Sequence, residues 1–172
     1  PAITMRSIAE ERRTGTMELL FTRPISDLKI LLAKYFASVS LMLIALLPTL
    51  IYYYSMNQLA LESEQFDHGA TITSYLGLIL LGSAFVAIGI FTSSLTSSQI
   101  VAFILALFFC WIFMPEIGGL ALIGSYNLMG SFDSVIQYFG MSYHYDGIQK
   151  GVIDTKNIVY FLSLITLFIY AA

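Results

Sequence analysis

The chain has 172 residues, 58% of them hydrophobic, a net charge of −3 and a mean hydropathy of +0.80. Soluble chains average about 45–50% apolar even with glycine counted, and a soluble core of this size does not need long runs without charge. No Asp, Glu, Lys or Arg occurs from 35 to 61 or from 68 to 115, which excludes an ordinary soluble domain, because charge is costly in hydrocarbon.

The charged residues are segregated. Six of the eight basic residues (Arg6, Arg12, Arg13, Arg23, Lys29 and Lys34) lie in the first 34 positions, and the remainder of the chain is acidic. Basic segments stay cytoplasmic, so the head is assigned inside. The acidic remainder gives no support for nucleic-acid binding.

Residues 1–30 read as the end of a preceding span followed by a cytoplasmic segment of two short amphipathic pieces. Gly15 breaks the first piece. Thr16 caps a short helix over 17–21, with Glu18 near its positive end. Pro24 ends that helix, and Ser26 caps the next. A span follows at 31–54, long enough for a hydrocarbon core with some tilt. Pro48 kinks it, and Tyr52, Tyr53 and Tyr54 suit an outer aromatic belt.

A polar outer loop at 55–71 leads to a second span, 72–93, whose Gly77, Gly82, Ala84, Ala87 and Gly89 permit close helix approach. After a Ser-rich turn, a third span runs from 100 to 116. Pro115 and Glu116 interrupt it roughly 25 Å later, at the rise of a helix. Residues 117–140, broken by Gly118, Gly119, Gly124 and Gly130, read as an external re-entrant hairpin. Residues 141–157 read as polar and external, and a last span starts at 157. Both ends read as cut from a longer chain. The expected architecture is a single all-α domain, a polytopic transmembrane bundle with a cytoplasmic amphipathic helix and an outer hairpin.

The string from Glu10 to Lys34, EERRTGTMELLFTRPISDLKILLAK, resembles the cytoplasmic segment of type-2 ABC transporter permeases. Glu11, Arg12, Gly15, Thr16, Glu18, Leu19, Pro24, Ser26 and Lys34 match that pattern, while Ala33 stands where the family often has Gly. Ser93–Gln99 resembles the family's inner turn, and Ser142–Ser163 resembles the entry to its last span. The closest likeness is to gliding-motility permeases. The resemblance implies that a short helix docks in a cleft of a separate ATP-hydrolysing subunit. The interface would comprise Glu10, Glu11, Arg12, Arg13, Gly15, Thr16, Met17, Glu18, Leu19 and Leu20. It also implies a second permease subunit, homo- or heterodimeric, in the bacterial inner membrane. The rival reading of the head is an interfacial anchor whose arginines meet anionic lipid.

The chain has no GxxxxGK[ST] string, so ATP hydrolysis through a P-loop is assigned to the partner. No cofactor or metal is expected, since the spacing of His68, His144, Asp67 and Asp146 predicts no converging ligands, and both histidines read as solvated. Cys110 allows no internal disulfide and reads as inert packing. Glu116 is the candidate outer gate, against the preferred reading of a solvated helix end beside a proline. A structural anchor for a surface machine is the alternative function. An intramembrane hydrolase lacks a paired nucleophile and base in any span.

Overall fold

The computed structural model describes residues 1–16, 26–59, 67–114 and 140–172. Among these the regular structure is entirely helical: α1 (Ala9–Thr14), α2 (Asp27–Leu46), α3 (Thr49–Leu59), α4 (His68–Leu95), α5 (Gln99–Phe113), α6 (Met141–Gln149) and α7 (Thr155–Ala171). The expected helix at 17–21 with Met17, Glu18, Leu19 and Leu20, the residue Glu116 and nearly all of the 117–140 segment lie outside the described residues.

Two stretches are long and apolar enough to cross a membrane: Asp27–Leu59 and His68–Leu95. They differ in environment. Of the apolar window of Asp27–Leu59, 11% is buried, against 61% for His68–Leu95. Phe36, Leu41, Ile44, Leu47 and Ile51 of the first stretch are all exposed. An apolar surface so continuous is suited to lipid or another apolar partner.

The first stretch is interrupted where Pro48 removes a backbone donor. Leu47 N–H shares the Leu43 and Ile44 carbonyls, Leu50 and Ile51 bond back only three residues, and the Thr49 hydroxyl donates to Leu46 O at 2.6 Å. The Tyr75 hydroxyl donates to Thr49 O at 3.0 Å. The kink is thus held by side chains as well as made by the proline.

α4 is the axis of the bundle, packing against α1, α2, α5, α6 and α7. From Ser83 to Ser94 it is buried almost all round, which an amphipathic surface helix cannot be. Small residues make this possible. Gly82 receives Met42 of α2, where an added Cβ would overlap the sulfur. Phe168 of α7 joins Phe91 of α4 and Phe113 of α5, with centroids 5.4 and 5.7 Å away. The caps are local: Asp67 accepts from Ala70 N–H at the start of α4, and Asp154 accepts from Lys156 N–H at the start of α7.

The 141–157 stretch departs from expectation. It is not simply an external polar loop, because α6 buries Met141, Ser142, His144 and Ile148. The reading of His144 as solvated is corrected: it is 1% exposed. Its ring stacks on Tyr160 at 4.0 Å, and Nδ1 lies 2.8 Å from Asn157 Oδ1. A buried imidazole needs such partners. α6 also packs closely on α4 at Gly77, whose bare backbone admits Ile148 and Tyr145 at distances tight for a Cβ. His68 is exposed, with Nδ1 2.8 Å from the Tyr53 hydroxyl.

Candidate functional site

The basic head meets the bundle where the start of α2, the end of α4 and the start of α5 come together. α1 has the charge order that its dipole favours, with Glu10 and Glu11 in the first turn and Arg12 and Arg13 in the last. Gly15 ends it in the left-handed region at φ 71°, where glycine carries no steric cost. What α1 lacks is its own N-cap. Ile8 occupies that position and offers no side-chain acceptor.

The missing acceptor comes from α4. The Ser93 hydroxyl accepts from Ile8 N–H and Ala9 N–H, both at 3.0 Å, and donates to Met5 O at 3.3 Å. Ser93 and Ala9 are 0% exposed and Ile8 is 2% exposed. The first-turn donors of a helix must find acceptors, and here they are met by a residue 85 positions away. Two further contacts fix the same segment. Buried Thr4 sits directly on Gly89, where a Cβ would collide with its side chain. Lys34 of α2 donates to Ser7 O and pairs with Glu11. Their side chains are 17% and 33% exposed, so the pair is only partly screened.

The joint therefore has a buried face and a free face. Ile8 and Ala9 face the bundle, while Arg6, Arg12, Arg13, Thr14, Gly15 and Thr16 are exposed. Of the residues expected at the interface, Glu10 and Glu11 are half-buried, and Glu11 is committed to Lys34. Arg12, Arg13, Gly15 and Thr16 are presented to the surroundings. Nothing in this joint pairs a nucleophile with a base. What the contacts do is tie α1 to α4 through Ser93 and to α2 through Lys34.

Sequence reasoning missed Ser93, Thr4 and Gly89 as parts of one joint. Serines at a turn between helices offer capping side chains, but Ser93 caps α1 rather than its own helix. Thr96 serves the turn itself, accepting from Ser98 N–H at 3.2 Å. Among the described residues no group of His, Cys, Asp and Glu is arranged to hold a metal ion.

A second polar region lies at the opposite end of the bundle, between α6 and α7. A cavity of about 410 Å³ is lined there by His144, Asp146, Lys150, Asp154, Lys156 and Asn157, among others.

In comparisons with known proteins, the family model described as ABC-2 family transporter protein matches residues 1–172. No curated protein and no solved structure matches the chain.

Proposed function

The chain belongs to the ABC-2 family of transporter proteins, and on that premise we propose that it is the multi-pass permease subunit of a bacterial inner-membrane ABC transporter, driven through its basic head. A subunit of this family is a membrane component rather than the ATPase, and it implies an ABC ATPase as partner. The proposal assigns the contact with that partner to the segment from Glu10 to Leu20. It also pairs the chain with a second permease subunit. Alternating exposure of a path between the two permeases would follow ATP binding and release.

The observation that carries this reading is the Ser93 joint. A lipid anchor needs only an amphipathic face and basic residues. It does not need its first turn tied to the most buried helix of the bundle by two buried hydrogen bonds. A lever does, because motion at its exposed end must reach the core. Arg12 and Arg13, exposed beside that joint, support a contact with an acidic surface of the partner.

The outer hairpin is part of the same proposal. Met114, just beyond α5, and Ser142, at the start of α6, line one small cavity against Leu81 of α4. The chain thus leaves α5 and resumes in α6 at the same level of the bundle. This supports a segment 117–140 that enters and returns on one side, with Glu116 at its mouth. A role in gliding motility rests on the likeness of the Glu10–Lys34 string, and a passive anchor of a surface machine is the reading it competes with.

Co-purification tests the proposal. The tagged full-length protein in mild detergent should bring down a nucleotide-binding subunit, and proteoliposomes of the complex should hydrolyse ATP in a vanadate-sensitive manner. Recovery without any ATPase would favour the passive anchor.

A further inference from the structure

Inside the α6 surface is a second, smaller cavity of about 60 Å³, lined by Leu81, Met114, Ser142, Tyr145, Asp146 and Gln149. Ser142, Tyr145, Asp146 and Gln149 are spaced i, i+3, i+4 and i+7, so they share one face of α6. The Ser142 hydroxyl is buried, 8% exposed, and has no hydrogen-bond partner among the described residues. Buried hydroxyls are satisfied in the great majority of cases, and an exception calls for an absent partner. Asp146 lines both this cavity and the 410 Å³ cavity beside it. Its carboxylate has no ion-pair or hydrogen-bond partner among the described residues. An uncommitted carboxylate thus borders both spaces, and an uncommitted hydroxyl lines the smaller one.

We propose that this inner cavity binds a primary ammonium group that enters from the larger cavity, with Asp146 as counter-ion and Ser142 and Gln149 as oxygen acceptors. The donor set is made of oxygens around a single negative charge, which suits a group that is cationic and rich in N–H donors. A trimethylated ammonium has no N–H to offer these oxygens. Lys150 and the Lys156–Asp154 pair, 3.8 Å apart, line the larger cavity. They discourage a second positive charge on the ligand and accept an anion beyond the ammonium. A dissolved amine and an ethanolamine lipid headgroup share this chemistry.

The test uses the full-length protein in membranes, with Cys110, its one cysteine in this chain, replaced by alanine and Ser142→Cys as reporter. Aminoethyl and hydroxyethyl methanethiosulfonates have equal length and differ in charge. With rates normalised to a free thiol, the aminoethyl reagent should modify position 142 about tenfold faster, the gain expected of a charge-assisted hydrogen bond. Asp146→Asn should bring the ratio near one. Ethanolamine should protect the thiol and choline should not. Protection by dissolved ethanolamine in phosphatidylcholine vesicles assigns a soluble amine, and protection only in phosphatidylethanolamine vesicles assigns a headgroup. Both support the site. Equal rates for the two reagents, a preference that survives Asp146→Asn, or equal protection by sodium overturns it. The protein with Ser142 intact gives a second reading: ethanolamine should raise its melting temperature above that in choline, and Asp146→Asn should erase the difference.

Discussion

Replacing Ser93 with alanine removes three hydrogen bonds at once and leaves the amides of Ile8 and Ala9 without their acceptor. Each buried donor left unmet costs about 1–3 kcal/mol, and losing an N-cap costs about 0.5–2 kcal/mol. Water can follow the vacated hydroxyl, so the net loss is set at about 2 kcal/mol, just below the ~2.5 kcal/mol at the foot of the summed range. The serine touches only one end of a six-residue helix, so the loss falls on local opening of the head rather than on the bundle. Opening by 2 kcal/mol less corresponds to roughly 30-fold faster amide exchange. Hydrogen exchange read by mass spectrometry on peptides spanning 4–14 should show this increase in Ser93→Ala. Peptides from 155–171 should stay unchanged. If exchange at 4–14 matches the parent, Ser93 does not hold the head and the joint is wrongly assigned.

Gly89→Ala drives a methyl into Thr4 and should cost about 1–3 kcal/mol as an overpacked contact; Thr4→Gly in the same chain should recover most of it, and purely additive melting shifts would show that the two do not touch. Lys34→Met leaves Glu11 and Ser7 O without their partner and should weaken the head by about 1 kcal/mol, since Glu11 can rehydrate, read as faster proteolysis within residues 1–25; an unchanged cleavage rate would mean that the pair contributes nothing. Single cysteines at Asp27 and Ser97 should be shielded from an impermeant thiol reagent outside intact cells, and one at Lys150 should react; labelling at 27 would reverse the orientation. Reporters fused after Glu116 and after Gly140 should report the same side, and opposite sides would make 117–140 a true span.

The helices that cross the bundle were legible because their signal is collective: dozens of residues without charge leave few alternatives to lipid. The Pro48 break was legible because a missing N–H is a property of one residue. His144 was not. Its burial depends on another helix, where Tyr160 stacks on the ring and Asn157 supplies the partner that the imidazole requires. A histidine amid tyrosines and an aspartate reads as solvated until that packing is known. Ser93 shows the same limit at the head. A serine near a helix end signals capping, but which helix it caps is a long-range pairing that no local spacing encodes. The Arg12 and Arg13 face was recognisable as a charge cluster, while the division of Glu11 toward Lys34 needed coordinates.

The claim that the head couples a separate ATPase to the membrane helices is tested most directly by breaking the head and measuring energy transfer. If the proposed helix at 17–21 forms, Leu19→Pro should disrupt it, at a cost somewhat below the ~3 kcal/mol of a helix interior for a site near a helix start. It leaves the lipid-embedded helices untouched. In proteoliposomes holding the full-length protein with its co-purified ATPase, the parent should show vanadate-sensitive ATP hydrolysis that depends on the permease. The Leu19→Pro protein should insert to normal abundance yet lose the ATPase or its stimulation. Insertion, ATPase association and hydrolysis all equal to the parent would contradict the account, and the head would then be an anchor in the lipid surface.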